Sequence, residues 1–251
     1  MQNKVVEVKN LNKTFKTGFL KPRFVHAVKN VSFTVSRNEI FGILGPNGAG
    51  KTTIMNILSS LLKPDSGYVE ILNTNVSKHF PNSLKLRLNM CSGNPNFPWC
   101  MTVKEILFFY AKLYNLSNEK IKTKIDELVN LFELKKIFKV RYDELSTGNK
   151  QRLALAKSLL NDPEIILFDE PTIGLDPDIS KKIRDIIKQI KTQKNITILL
   201  TTHYMKEAEE LCDRIAFIKE GTILTIGTPQ ELKNIAQKNS LEETFIELVN
   251  K

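Results

Sequence analysis

The sequence predicts an α/β protein with a parallel core and a helical insertion. Two observations carry that expectation. Short apolar runs at Ile165 to Phe168 and Ile196 to Leu200 have the length and character of parallel strands buried on both faces. Between them, Ile179, Ile183, Ile186, Ile187 and Ile190 recur at helical spacing after Asp176-Pro177, a helix opening with proline at its first position.

The remaining elements follow in order. From about residue 4 to 45 apolar and polar residues alternate (Val6, Val8, Leu11; Val31, Phe33, Val35), as in strands with one wet face. Ile40 to Leu44 then leads into a glycine-rich turn. A helix follows with Ile54, Ile57, Leu58, Leu61 and Leu62 on one stripe, and Pro64 is expected to stop it. Residues from about 85 to 145 differ in character. Thr102 and Glu105 form a capping-box pattern ahead of Ile106, Leu107, Phe109, Tyr110 and Leu113, and a second helix carries Ile121, Ile125, Leu128 and Phe132. After Leu145 strand and helix alternate again. Ser240 with Glu243 opens a closing helix that runs to Val249.

Composition narrows the class. In 251 residues, 41% are apolar and 25% charged, which excludes a disordered or fibrous chain. No apolar run approaches the roughly 20 residues of a membrane-spanning helix. The first residues have no signal-peptide core, so secretion is not expected. Three cysteines (Cys91, Cys100 and Cys212) without a CxxC pair argue against a disulfide framework or a zinc site. The net charge is +10, but the lysines are spread along the chain, which fits a solvated basic surface better than a nucleic-acid footprint.

Gly45-Pro46-Asn47-Gly48-Ala49-Gly50-Lys51-Thr52 matches G-x-x-x-x-G-K-[ST], and it stands between an apolar strand and an apolar helix. Glycines let backbone N–H groups close around phosphate oxygens, and the following helix turns its positive end toward them. Lys51 is expected to reach the β- and γ-phosphates and Thr52 to hold Mg²⁺. Downstream, the strand ending at Phe168 runs into Asp169 and Glu170. Ligands of open α/β sheets bind at carboxyl ends of strands, so Asp169 is expected at Mg²⁺ and Glu170 at the water that attacks the γ-phosphate.

Leu145-Ser146-Thr147-Gly148-Asn149-Lys150-Gln151-Arg152 resembles the LSGGQ-type signature of ABC ATPases, Gly174-Leu175-Asp176 resembles their D-loop, and His203 their switch histidine. The stretch from Thr202 to Asp213 and Gly227-Thr228-Pro229 resemble the drug- and antibiotic-efflux branch, whose permease is a separate chain. The resemblance implies the ABC ATPase fold: a P-loop NTPase core (1–84 and 145–227) with an N-terminal antiparallel β subdomain, an inserted α-helical subdomain (85–144) and closing helices (228–251). It implies ATP and Mg²⁺ as cofactors and hydrolysis of ATP. Glu170 and His203 would be catalytic. Gly45, Pro46, Asn47, Gly48, Ala49, Gly50, Lys51, Thr52 and Thr53 would hold the nucleotide, with Thr52 and Asp169 at the metal. Two chains would pair head to tail, Ser146, Gly148 and Asp176 of one closing on the nucleotide of the other, as a homodimer or heterodimer. Ser146 is also a good N-cap for a helix running to about Asn161, and Asp176 for the helix that follows it.

The implied partners are a transmembrane permease and a second ATPase subunit, with no nucleic acid, at the cytoplasmic face of the cell membrane. Non-transport relatives acting on nucleic acid carry a second ATPase domain, coiled coils or zinc modules, which are not seen here. Thr147, Asn149 and Gly93 depart from the family pattern, Gly93 falling where its Q-loop glutamine stands, and they leave a weakly hydrolysing regulatory ATPase as an alternative. Asn94, next along, either serves the metal through a one-residue shift or is a turn residue before Pro95. Phe15 resembles the aromatic that stacks on adenine, and it also fits a core position. Trp99 fits a permease contact or burial within the insertion.

Overall fold

The structure, a computed structural model, describes residues 4–18 and 22–250. In chain order its elements are β1 (Lys4–Thr17), β2 (Arg23–Ser36), β3 (Ile40–Leu44), α1 (Lys51–Leu58), β4 (Ser66–Ile71), β5 (Thr74–Asn75), α2 (Asn82–Lys85), β6 (Leu88–Ser92), α3 (Val103–Leu113) and α4 (Asn118–Leu131). Then come α5 (Thr147–Ser158), β7 (Ile165–Asp169), α6 (Pro177–Lys194), β8 (Thr197–Thr202), α7 (Met205–Leu211), β9 (Arg214–Lys219), β10 (Thr222–Gly227), α8 (Pro229–Ala236) and α9 (Leu241–Asn250). They form two compact units, one from residues up to 85 and from 197 onward, the other from 86–196. The second unit contains the helices expected at 85–144 together with α5, β7 and α6.

In the first unit, β2-β1-β4-β5 make an antiparallel sheet, and β10-β9-β3-β8 lie side by side with β3 parallel to both β8 and β9. The alternation read at 4–45 is this first sheet: Val6, Val8, Val31, Phe33 and Val35 are buried while Lys9, Asn30, Ser32 and Thr34 face water. Phe33 stacks on Phe41 of β3 with ring centroids 5.3 Å apart, which ties the antiparallel sheet to the parallel one. The start of β3 is pinned: Ile40 donates its N–H to Asp213 Oδ2 at 2.8 Å, and Glu39 pairs with Arg214 at 3.1 Å. All five residues of β3 are buried, as a continuous apolar run requires.

Helix α1 is shorter than expected. It stops at Leu58, not before Pro64, because Ser60 takes a left-handed φ of 64° and the N–H groups of Leu61 and Leu62 turn back to Asn56 O. Leu61 is left outside the buried stripe and is 74% exposed. The closing helix α9 begins as expected, with Glu243 N–H bonded to Ser240 Oγ at 3.2 Å. Its Phe245 meets Phe217 of β9 edge-on at 5.3 Å.

In the second unit β6 and β7 are parallel, in register from Leu88 against Ile165 to Ser92 against Asp169. Buried Asn89 ties β6 to the helices around it. Its amide donates to Ser158 O at 2.7 Å at the end of α5, and its oxygen accepts from Tyr114 at the end of α3 at 3.0 Å. The capping box is complete at α3, where Thr102 and Glu105 exchange both bonds, a feature that stabilises such a helix by about 1 kcal/mol. Along α6 the inward stripe is narrower than the sequence suggests. Ile183, Ile187 and Ile190 are buried, whereas Ile179 and Ile186 are half-buried.

Candidate functional site

The candidate site residues stand on both units. In the first, β3 delivers the chain into the glycine loop and α1 starts at Lys51, so the loop lies at a strand's carboxyl end and a helix's amino end. Ala49 N–H closes a turn on Pro46 O at 3.2 Å. Gly50 has φ 102°, and a Cβ there would fall 2.2 Å from Ala27 O. Only glycine combines that backbone with that approach. The first N–H groups of a helix lack intrahelical partners, and the first turn of α1 carries no acid to compete for them. Lys51 is 4% exposed, and its ammonium lies over the loop, donating to Gly45 O at 2.8 Å and Pro46 O at 3.1 Å. Pro46, Asn47, Gly48 and Thr52 are exposed, Ala49 is buried, and Thr53 is half-buried. A run of backbone N–H groups ahead of a helix, with one cation over it, is suited to a polyphosphate.

His203 follows β8 directly. Gly45 N–H reaches Thr202 O at 3.4 Å, so the end of β8 stands beside the first residue of the loop, and the half-buried His203 ring lies 4.1 Å from that of Tyr204. Phe15 is on β1, 36% exposed, with Lys13 Nζ 5.7 Å from its ring, so it is not a core residue.

In the second unit β7 ends at Asp169, which is 7% exposed. Glu170 follows with a left-handed φ of 53°, and its carbonyl accepts Ile173 N–H at 3.1 Å. A glutamate in that region is uncommon and costs about 1–2 kcal/mol, so the surrounding contacts must hold it there. Ser146 caps α5 as expected, accepting Asn149 N–H at 3.4 Å, but the helix ends at Ser158 rather than near Asn161. Gly148 packs under α6, where a Cβ would stand 2.8 Å from Ile179 Cδ1. Asp176 occupies the N-cap position of α6 without a side-chain capping bond, so its carboxylate is exposed and unused by the helix.

Asn94 is exposed, and its N–H donates to Ser92 Oγ at 3.2 Å. Trp99 is 66% exposed, not buried in the insertion, with the Arg141 guanidinium 5.5 Å from its ring. Sequence reasoning assigned nothing to Gln151. It is 1% exposed, and its amide nitrogen points at Ser92 O (3.5 Å) and Cys91 Sγ (3.9 Å). Its signal was a polar residue at a helix position that the fold buries.

Thr52 in the first unit offers a hydroxyl and Asp169 in the second a carboxylate, each a donor type that Mg²⁺ accepts. Among the described residues, no cluster of three or more His, Cys, Asp or Glu forms a metal cage, and none of the helices is long and apolar enough to cross a membrane.

The sequence pattern described as ABC transporter matches residues 28–173. The chain is 36% identical over 227 residues to the ABC transporter ATP-binding protein NatA of Bacillus subtilis, covering 90% of this chain and 92% of that protein. It is 38% identical over 205 residues to Nod factor export ATP-binding protein I of Rhizobium sp. strain N33, covering 82% of this chain and 67% of the relative. Among solved structures it resembles a dimeric post-hydrolysis state of the ATP-binding cassette MJ0796 bound to ADP and Pi. The TM-score is 0.79 at 29% identity, over 89% of this chain and 98% of the other.

Proposed function

The chain belongs to the ABC transporter family, and from that premise we propose that it is the ATP-hydrolysing subunit of an exporter, driving a separate membrane permease. The observation that carries this reading is the glycine loop after β3, with Lys51 folded over it and α1 opening behind it. Backbone N–H groups of the loop and of the first turn of α1 bind the phosphates, and Lys51 neutralises their charge. Thr52 and Asp169 would hold Mg²⁺, with Asn94 as a further ligand, and a bound ion would supply positive charge to the phosphate oxygens. Glu170 orients the attacking water and accepts its proton, while His203 donates a hydrogen bond to the γ-phosphate. Water adds to that phosphorus, the bond to the bridging oxygen breaks, and ADP and phosphate leave.

Phe15, exposed on β1, stacks on the adenine. Ser146, Gly148 and Asp176 serve the site of a second ATPase subunit, whose own residues close this one. The exposed α5 N-terminus, with its dipole, suits a phosphate arriving from outside. Closure on ATP and release after hydrolysis move the permease between two states at the cytoplasmic face of the membrane. Trp99, with Phe109 and Leu113 of α3, offers exposed apolar surface for that permease.

Titration calorimetry with ATP and Mg²⁺ tests the reading. The wild-type chain gives a binding isotherm, and Lys51→Ala weakens it at least about 10-fold, as loss of a charge-assisted contact does. Absence of heat with folded wild-type protein would overturn the assignment. A regulatory subunit with weak turnover is the second reading, favoured by Thr147 and Asn149 in the signature. ATP binding without turnover in the presence of the permease would select it.

A further inference from the structure

We propose that Gly221, in the turn between β9 and β10, is a positioning residue for the glycine loop: its N–H holds the Ala49 carbonyl outward and so aims the Gly50 N–H at the phosphates. This rests on the reading of the loop as a phosphate site, and deepens it.

All the segments concerned belong to the first unit. Strand β9 runs parallel to β3, with Phe217 opposite Leu44, and its next residue stands beside the start of the loop: a Cβ on Gly45 would fall 2.1 Å from Ile218 O. Glu220 and Gly221 then make the turn into β10, with φ of 48° and 81° and Lys219 paired to Thr222. Positive φ at both residues of a two-residue hairpin loop is what a type I′ turn requires, and its second position favours glycine. Gly221 is buried, and both of its backbone polar groups bond outside the hairpin. Its N–H donates to Ala49 O at 3.0 Å, and its carbonyl accepts Lys29 N–H of β2 at 2.8 Å.

In a trans peptide the carbonyl and the following N–H point in opposite directions. The Ala49 carbonyl turns toward Gly221, so the Gly50 N–H turns away from the hairpin, to join the other free donors at the start of α1. Gly50 is packed between β2 and the turn, since a Cβ on it would fall 2.2 Å from Ala27 O and 3.7 Å from Gly221 Cα. The same carbonyl confines Gly221. A Cβ at position 221 would meet Ala27 O at 2.8 Å, Ala27 C at 3.1 Å and His26 O at 3.2 Å. These are backbone atoms, and turning a side chain cannot relieve them. A side chain at 221 therefore pushes the turn off β2 and stretches its bond to Ala49.

An N–H bonded to a phosphate oxygen is a charge-assisted contact, and loss of its aim weakens binding by about 10-fold. Coupling of this kind is reciprocal, so bound nucleotide must favour the Gly221–Ala49 bond by the same factor.

Two measurements on the full chain test the proposal. In titration calorimetry, Gly221→Ala is expected to raise the Kd for ATP with Mg²⁺ by about 10-fold. Glu220→Gly, which alters the same turn and keeps the Gly221 N–H, is expected to stay within about twofold of wild type. A merely structural defect lowers the competent fraction, read as stoichiometry, and leaves the affinity of the folded remainder unchanged. In the wild-type chain, hydrogen exchange at the Gly221 amide, followed by NMR, is expected to slow at least about 10-fold when ATP and Mg²⁺ saturate it. That second measurement decides the matter if Gly221→Ala does not fold. Wild-type affinity in Gly221→Ala, equal weakening in Glu220→Gly, or Gly221 exchange indifferent to ATP would overturn the proposal and leave the phosphate site intact. Folded wild-type chain that binds no ATP would overturn both, which separates the two failures.

Discussion

The glycine loop at Gly45 to Thr52 and the acidic corner at Asp169 and Glu170 reach their shapes by opposite routes. In the loop, the residue that adopts the demanding backbone is the one suited to it: Gly50 carries the φ of 102° itself. At the corner, the demanding conformation falls on Glu170, whose carbonyl packs against Gly93 at the end of the neighbouring strand. The first arrangement is local in the chain and the second is not. The loop's left-handed φ is thus carried by a glycine of its own, whereas the acidic corner rests against a strand distant in sequence.

The sharpest probe of the corner is Glu170→Gln, which keeps the shape and removes the base. Turnover should fall by about 10²- to 10⁴-fold while ATP binding persists, so ATP-dependent dimers accumulate in size-exclusion chromatography. Normal hydrolysis by that variant would remove the corner's chemical role. On the loop side, Gly50→Ala combines a left-handed backbone with a 2.2 Å approach to Ala27 O. Its cost of about 1–3 kcal/mol should weaken ATP affinity by about 10-fold or more, read by calorimetry. Unchanged affinity would mean that the loop tolerates what the geometry forbids.

The smallest effect uses the cysteines as reporters. Cys100 is exposed and should take a thiol reagent at once. Cys91 is buried behind the acidic corner, and burial pushes its thiol up to about 12. Cys212 lies behind β3, where a Cβ on Gly42 would be 2.6 Å from its sulfur, and burial likewise raises its thiol well above the usual range. Native protein should therefore label once, as judged by mass spectrometry.

Much of the fold was legible because its signals are short-range. The strand, loop and helix around residues 40 to 58 follow from spacing and residue type, as do the capping box at Thr102 and the cap at Ser146. The end of α1 was not legible. Leu61 and Leu62 continue the apolar stripe, yet the left-handed turn at Ser60 ends the helix, because the closing bonds to Asn56 O are available there. Asp176 carries a strong capping signal, but its side chain does not cap α6. Trp99 had two readings in the sequence, and only packing chose the exposed one.

By itself the sequence determined the phosphate-type loop, the acids at the end of a buried strand and the order of helices and strands. Each depends on residues within a few positions of one another, where propensity and spacing act directly. The tertiary structure alone decided that Gly93 packs against the Glu170 carbonyl, that Gln151 is buried against β6 and that Glu170 is held in a left-handed turn. Those facts depend on how closely distant segments approach, and a separation of a few ångströms between strands is a property of packing that no local pattern encodes.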